Sequence, residues 1–389
     1  MPPLIGASFK APTSGGSTGR PKLIVATQSA TWESLEGFAD LLKIPADGVH
    51  LVTGPLYHNG PFITSLLALL RGHLAIMDRF DATEALALIE RHRVDWMYAV
   101  PTMLHRIWRL PEYLRQRFDV SSLRVVSHMA APCPPWLKQA WIDWLGGARI
   151  LELYDGTEAQ AITFITGDEW LAHRGSVGRV ILGEMVVLDA SGNERPPGEV
   201  GDIWMRRGLD EPPSYRCIGA SPKSRPGNWE SLGDMRWKDA DGYVYLRDRD
   251  TDMILVGGAN VYPAEVESAL DEHPAVTSSC VIGLPDDEYG NVVHAIVQAS
   301  GPLTPAELEA FLRSTLTKYK RPRTYEFVNE PLRGDDGKVR RSARSGSAIP
   351  VGTCLGRREG SGAPYAFSRG ISRSALSRSI ACRSLAPKP

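Results

Sequence analysis

The sequence predicts a layered α/β protein with a smaller β-rich unit behind it and a separate α+β module near the C-terminus. Three observations carry this. The first two-thirds of the chain alternates short apolar runs with amphipathic stretches, the texture of parallel strands covered by helices. Beyond Ile181 the runs shorten and are broken by Gly and Pro turns. After Arg249 a new α+β pattern begins. A length of 389 residues agrees with more than one domain.

Taken in order, Leu23 to Val25 is a short apolar run, and Val94 to Val100 and Leu123 to Val126 read as buried strands. Between them Ala82, Ala85, Leu86 and Ile89 fall at i, i+3, i+4 and i+7, the apolar stripe of a helix. Trp136 to Leu145 is helical in pattern and Ile150 to Leu153 is strand-like. Met185 to Leu188 and Val200 to Met205 are strands flanking a turn at Ser191-Gly192-Asn193. In the last module, Thr304 to Leu316 reads as a helix. Thr304 supplies its cap, Pro305 its first position and Glu307 the capping-box partner. Val276 to Ile282, Val292 to Gln298 and Thr324 to Val328 are its strands.

Composition excludes several classes. With 43% hydrophobic and 23% charged residues the chain has ample core material. A formal net charge of −1 gives no sign of nucleic acid or an anionic membrane as partner. Seven Lys/Arg and one Glu lie from Gly346 onward, in a Ser/Arg-rich stretch expected to be disordered. The five cysteines form no C-x-x-C pair, so neither a disulfide framework nor a zinc site is expected. Phe62 to Leu70 is too short to span a bilayer, and the first nine residues lack a signal-peptide pattern. A cytoplasmic protein is the expectation.

Thr13 to Lys22 reads T-S-G-G-S-T-G-R-P-K. Glycines allow a tight turn whose amides approach anionic oxygens, hydroxyls can donate to the same oxygens, and Lys22 adds a positive charge. A flexible Gly/Ser linker has the same composition. The spacing is not that of a Walker A loop, because Arg20 and Pro21 separate Gly19 from Lys22.

The stretch resembles the phosphate loop of the adenylate-forming, AMP-binding enzymes: acyl-CoA synthetases, peptide-synthetase adenylation domains and luciferases. Five further stretches, in the family's order, carry the resemblance from Thr13 to about Arg341. Tyr154-Asp155-Gly156-Thr157-Glu158 is similar to the family's Y-G-x-T-E, with Asp155 in place of glycine. Leu232-Gly233-Asp234 resembles T-G-D, and Tyr245 to Asp252 resembles the boundary motif. Gly257 to Glu265 resembles the loop lining the thiol tunnel, and Asp335-Asp336-Gly337-Lys338-Val339-Arg340 resembles the closing G-K motif.

The resemblance implies a luciferase-like large adenylation domain over residues 1–250, a small α+β domain over 251–345 and a tail over 346–389. It implies ATP and magnesium as cofactors and coenzyme A as co-substrate. Thr13, Ser14, Gly15, Gly16, Ser17, Thr18, Gly19 and Lys22 would cradle phosphates. Tyr154 would pack on adenine, Thr157 would bond the α-phosphate, and Glu158 would hold magnesium, an oxygen ligand for a hard cation. Asp234 and Arg249 would reach the ribose, Thr251 would sit at the hinge, and Gly257 and Gly258 would border the thiol tunnel. Lys338 would join carboxylate and α-phosphate during adenylation. His58, with Ala130, Ala131 and Pro132, would line the acyl pocket. Each feature has a plainer alternative: Glu158 as a surface carboxylate, Gly233-Asp234 and Gly257-Gly258 as turns, Lys338 as an exposed lysine, His58 as a structural hydrogen-bonder.

The expected reaction is activation of a carboxylic acid by ATP, followed by transfer to coenzyme A. The substrate would be a fatty, steroid or bile, or aromatic acid. The other readings are loading of a carrier-protein thiol, or a nucleotide-binding fragment without activity. The last reading stems from the start: relatives carry a long stretch ahead of the phosphate loop, so a chain shortened at the N-terminus is expected.

Overall fold

The computed structural model describes residues 5–15, 21–219, 221–246, 253–334 and 339. Its centre is a seven-stranded sheet. The strands run in the order His73–Ile76, Val49–Val52, Trp96–Ala99, Val125–His128, Ile150–Tyr154, Ile162–Thr166, Arg179–Leu182. The first five are parallel. The last two add antiparallel and were not foreseen.

Every residue of Trp96–Ala99 and Val125–His128 is buried, as expected of parallel strands covered on both faces. The covering helices are the crossovers Asn59–Arg71, Ala82–His92, Pro101–Trp108 and Pro135–Leu145. The stripe read from the sequence is the inner face of Ala82–His92: Ala85, Leu86 and Ile89 are all buried. Asp81 starts that helix by accepting from the Thr83 and Glu84 amides. Trp96, Met97, Leu104, Trp141 and Leu151 are among the fully enclosed members of the shared core.

One strand lies later than expected. Val125–His128 replaces Leu123 to Val126 because residues 119–123 form a turn: Asp119 accepts from the Ser121 amide, and the Leu123 amide bonds to Val120.

The β-rich unit is an antiparallel sheet of six strands, including Glu184–Leu188 and Gly201–Arg206. It packs around Ala161, Val177, Met185, Ile203, Met205 and Val244. A three-stranded sheet joins Thr13–Gly15 to Pro21–Ala26 and then to Tyr215–Ile218. The glycine-rich stretch is thereby the connection of a hairpin anchored to a distant part of the chain.

In the last module Val276–Asp286 and Gly290–Ala299 form a long hairpin, and Thr324–Val328 adds parallel to its second strand. The helices Pro263–Asp271 and Pro305–Leu312 close over it around Val266, Leu270, Val281, Val297, Leu308 and Leu312. The capping box of Thr304 and Glu307 forms as expected. That helix ends sooner than its apolar pattern suggests, and the Ser314 and Thr315 hydroxyls bond back to the Phe311 and Leu312 carbonyls.

Arg109, at the end of Pro101–Trp108, donates to the Asp271 and His273 carbonyls at 2.7 and 2.9 Å. A cation on the carbonyl end of a helix is favoured by its dipole. This ties Pro263–Asp271 to the sheet's helical cover.

Candidate functional site

Ligands of open α/β sheets bind beyond the carboxyl ends of the strands. Three of the stretches singled out above leave that edge. His58 follows Val49–Val52, Ala130 to Pro132 follow Val125–His128, and Asp155 to Glu158 follow Ile150–Tyr154. The sequence thus brings the acyl-side and phosphate-side candidates to one edge of one sheet, with Trp96–Ala99 between the first two in strand order.

The turn after Ile150–Tyr154 is the best-defined part. Glu158 is buried, and the Lys22 ammonium lies 2.9 Å from its Oε1. Lys22 belongs to Pro21–Ala26, so the hairpin of the glycine-rich stretch and the Tyr154–Glu158 turn meet through a charge pair. Ser214, just before Tyr215–Ile218, donates to the Glu158 carbonyl at 2.7 Å. A Cβ at Gly156 would come within 2.5 Å of the Leu232 side-chain end and 3.0 Å of Glu158 Oε2, so any larger residue there would displace those side chains. Asp155 is not among the residues with left-handed backbone, so the aspartate that replaces glycine carries no strain of that kind.

Tyr154 donates its hydroxyl to Asp234 Oδ2 at 2.8 Å, and Arg236 pairs with the same oxygen at 3.0 Å. The Arg236 guanidinium also lies 4.9 Å from the Tyr154 ring centre. Burial, first among the causes, pushes the Tyr154 hydroxyl well above its ordinary pKa, so it is a hydrogen-bond donor at neutral pH. Tyr154 and Asp234 are therefore neighbours.

Sequence reading missed Lys10. This lysine is only 9% exposed, and its ammonium donates to Asn59 Oδ1 at 2.9 Å and to the Thr157 carbonyl at 3.0 Å. Burial lowers its pKa, opposed by the nearby Asp155 and Glu158 carboxylates. Nothing in its local sequence marks it, because its partners lie far along the chain. Asn59, Arg236 and Ser214 were missed for the same reason.

His58 precedes Asn59–Arg71 in extended conformation, half-buried, with its ring 4.5 Å from that of Tyr57. Ala130 has φ +75°, a conformation that favours glycine. The segment it resembles has glycine there, which gives the substitution a physical reading. Ala130→Gly is expected to leave stability within about 1 kcal/mol of the parent, since relief of strain offsets unfolded-state entropy. Ala130→Val, β-branched in the left-handed region, should cost about 1–2 kcal/mol. Urea unfolding of the two variants checks the difference, and equal midpoints would contradict it.

Gly257 and Gly258 are the two turn residues of the hairpin Ile254–Val256 and Ala259–Val261, with φ of +54° and +85°. Both central residues positive is the requirement of a type I′ hairpin, so the turn reading holds whatever else the loop does. Thr13, Ser14 and Gly15 form the first strand of the hairpin that carries the glycine-rich stretch. Gly16, Ser17, Thr18, Gly19, Arg249, Thr251 and Lys338 lie outside the described residues, as does the stretch from Gly346 onward.

Magnesium was expected at Glu158. The site offers a buried carboxylate whose Oε1 already faces a cation, the Lys22 ammonium, and a second carboxylate, Asp155, three residues earlier. Oxygen donors of this kind fit a hard cation. Among the described residues no helix is long and apolar enough to cross a membrane.

The AMP-binding enzyme model matches residues 12–208, and the AMP-binding enzyme C-terminal domain matches residues 265–335. A feruloyl-CoA synthase from an Amycolatopsis species is 34% identical over 333 residues, 83% of this chain and 66% of the relative. A medium/long-chain-fatty-acid–CoA ligase from Mycobacterium tuberculosis is 32% identical, over 76% of this chain and 52% of the relative. The chain thus spans between about half and just under two thirds of these relatives.

Among solved structures, o-succinylbenzoate coenzyme A synthetase from Bacillus subtilis, in complex with ATP and magnesium, superposes with TM-score 0.70 at 27% identity. The match covers 85% of this chain and 68% of that one. An amide bond synthetase from Marinactinospora thermotolerans matches at TM-score 0.70 and 27% identity, over 88% and 70% of the two chains. With both domain models matched in order, and the hairpin and turn they include meeting through Lys22 and Glu158, the chain belongs to the AMP-binding enzyme family.

Proposed function

We propose that this protein is an ATP-dependent acid–CoA ligase, in which a carboxylate attacks the α-phosphorus of ATP and diphosphate leaves. The coenzyme A thiol then attacks the carbonyl of the resulting acyl adenylate, forming the thioester and releasing AMP. The observation that carries this reading is the convergence of Lys22, Glu158, Tyr154 and Asp234, from three separate stretches, beside one sheet edge.

The residue roles are those that the family resemblance implies. Thr13, Ser14 and Lys22, with the loop 15–19, receive the phosphates. Tyr154 presents its ring to adenine, Asp234 accepts from the ribose hydroxyls, and Arg249 donates to the ribose oxygens. Thr157 bonds the α-phosphate, and His58 with Ala130, Ala131 and Pro132 borders the acid. Glu158 would hold magnesium, which when bound neutralises phosphate charge. Lys338 brings positive charge to the same place from the small domain. We infer a division at residues 1–250 and 251–345 with Thr251 as the hinge, and Gly257 and Gly258 beside the path of the thiol.

Aromatic and fatty acids are the substrate classes supported by the likeness to the feruloyl-CoA and fatty-acid–CoA enzymes. A cytoplasmic location suits the free supply of ATP and coenzyme A. A second reading, transfer to an amine, is supported by the likeness to the amide bond synthetase. The higher identity to CoA-forming relatives favours the thiol.

The deciding experiment is acid-dependent adenylate formation, trapped as hydroxamate, across hydroxycinnamic, fatty and bile acids, followed by coenzyme A or an amine as acceptor. Failure of every acid would overturn the reading; amide without thioester would select the second one. Within that assay, Glu158→Gln should raise the magnesium needed for half-maximal rate about tenfold, equivalent to about 1.4 kcal/mol. An unchanged magnesium dependence would remove Glu158 as the metal-holding residue.

A further inference from the structure

Lys10 is a buried cation that the roles above do not use. Enclosing an ammonium costs several kcal/mol unless charge and hydrogen bonds compensate it. Its two protein partners are neutral, the Asn59 side chain and the Thr157 carbonyl, at 2.9 and 3.0 Å. The Asp155 and Glu158 carboxylates act on it from farther away. For packing alone a methionine would fill the place at lower cost.

The three attachments of Lys10 are what give it a task. Its carbonyl accepts from the Ala26 amide at 3.0 Å, which fixes it to the strand that carries Lys22. Its ammonium holds the carbonyl of Thr157, in the turn that ends in Glu158. The same ammonium holds Asn59, first residue of the helix that follows His58. Glycine-rich hairpin, Thr157–Glu158 turn and acyl-side helix therefore meet at one residue, the first through its main chain and the other two through its ammonium. Lys22, on the strand to which Lys10 is bonded, clamps the same turn.

We propose that Lys10 is a positioning residue for adenylation: it fixes the phosphate-side turn against the acyl-side helix and so sets the distance between carboxylate and α-phosphorus. The proposal rests on the acid–CoA ligase reading. A misplacement of reactants costs rate more than binding, because the bound geometry and not the contact surface is what is lost. Lys10 also differs from Lys338 in its effect on the second half-reaction. Lys10 belongs to the large domain and holds Thr157 throughout, so thioester formation depends on it too.

The test is Lys10→Met in the full chain, which keeps the stem and removes the charge. Adenylation kcat should fall about tenfold or more, the loss expected for hydrogen bonds to a charged donor. KM for ATP and for the acid should change less than threefold, and thioester formation from supplied acyl adenylate should fall as well. Asn59→Ala, which removes one partner and leaves the ammonium, should lower kcat in the same direction by a smaller factor. Lys10→Arg, which restores charge with donors, should recover part of the loss.

An unchanged kcat per folded molecule in Lys10→Met, with or without a lower melting temperature, would overturn the proposal and leave Lys10 a structural residue. A rise in KM alone would also overturn it, in favour of a binding contact. If the parent protein forms no adenylate with any acid, the ligase reading fails and the positioning role with it. Those outcomes are distinguishable, because the first two require an active parent.

Discussion

Lys338→Ala should reduce acyl-adenylate formation by roughly a hundredfold or more, the scale of losing one electrostatic group aimed at developing charge. Thioester formation from supplied acyl adenylate and coenzyme A should be nearly unchanged. The split follows from the proposed division of labour. During the first step two anions, a carboxylate and a triphosphate, are forced together, and Lys338 supplies the cation delivered from the small domain. In the second step the adenylate already exists and the thiol approaches instead, so a lysine that has swung away with its domain has nothing left to neutralise. Measuring the half-reactions separately, by hydroxamate trapping and by thioester release, decides the matter. Equal losses in both would contradict the two-conformation reading and place Lys338 in a fixed site.

Much of the fold was legible because it is written in short-range pattern. The stripe of Ala85, Leu86 and Ile89, the buried runs around Trp96 and Ile150, and the Thr304–Glu307 capping box each announce themselves within a few residues. The turn Gly257-Gly258 did so too, since a glycine pair suits a hairpin with positive φ at both central positions. Ile162–Thr166 and Arg179–Leu182 were not foreseen, because what makes them strands is the edge of a sheet begun elsewhere.

The site was legible where it resembles a known motif and hidden where it depends on contacts between distant stretches. Glu158 could be singled out, but the cation beside it comes from 136 residues earlier. Tyr154 and Asp234 were separate expectations, yet a hydrogen bond joins them across 80 residues, with Arg236 completing the group. Lys10 lies in no motif, and only its burial between Asn59 and Thr157 sets it apart.

Lys138 shows the same limit and carries the second large expectation. In the sequence it is one polar residue of the amphipathic Pro135–Leu145, where a lysine normally faces water. In the structure it is 1% exposed and pairs with the buried Glu152 at 2.5 Å. Its ammonium also lies 5.2 Å from the Trp170 ring centre. His128, on the neighbouring strand, supplies no replacement charge: burial lowers its pKa to about 4, so it is neutral at pH 7. Lys138→Met would therefore leave the Glu152 carboxylate enclosed without its cation. Breaking one side of such a pair costs about 3–5 kcal/mol, whereas replacing both sides with apolar residues of similar volume is often neutral or stabilising. The single variant should unfold at much lower urea, and Lys138→Met combined with Glu152→Leu should recover most of the loss. Glu152 lies two residues before Tyr154 on the same strand, so the single variant should also weaken ATP binding as the strand end loosens. A double variant as unstable as the single one would show that packing around Trp141 and Trp170, and not the unpaired charge, sets the cost.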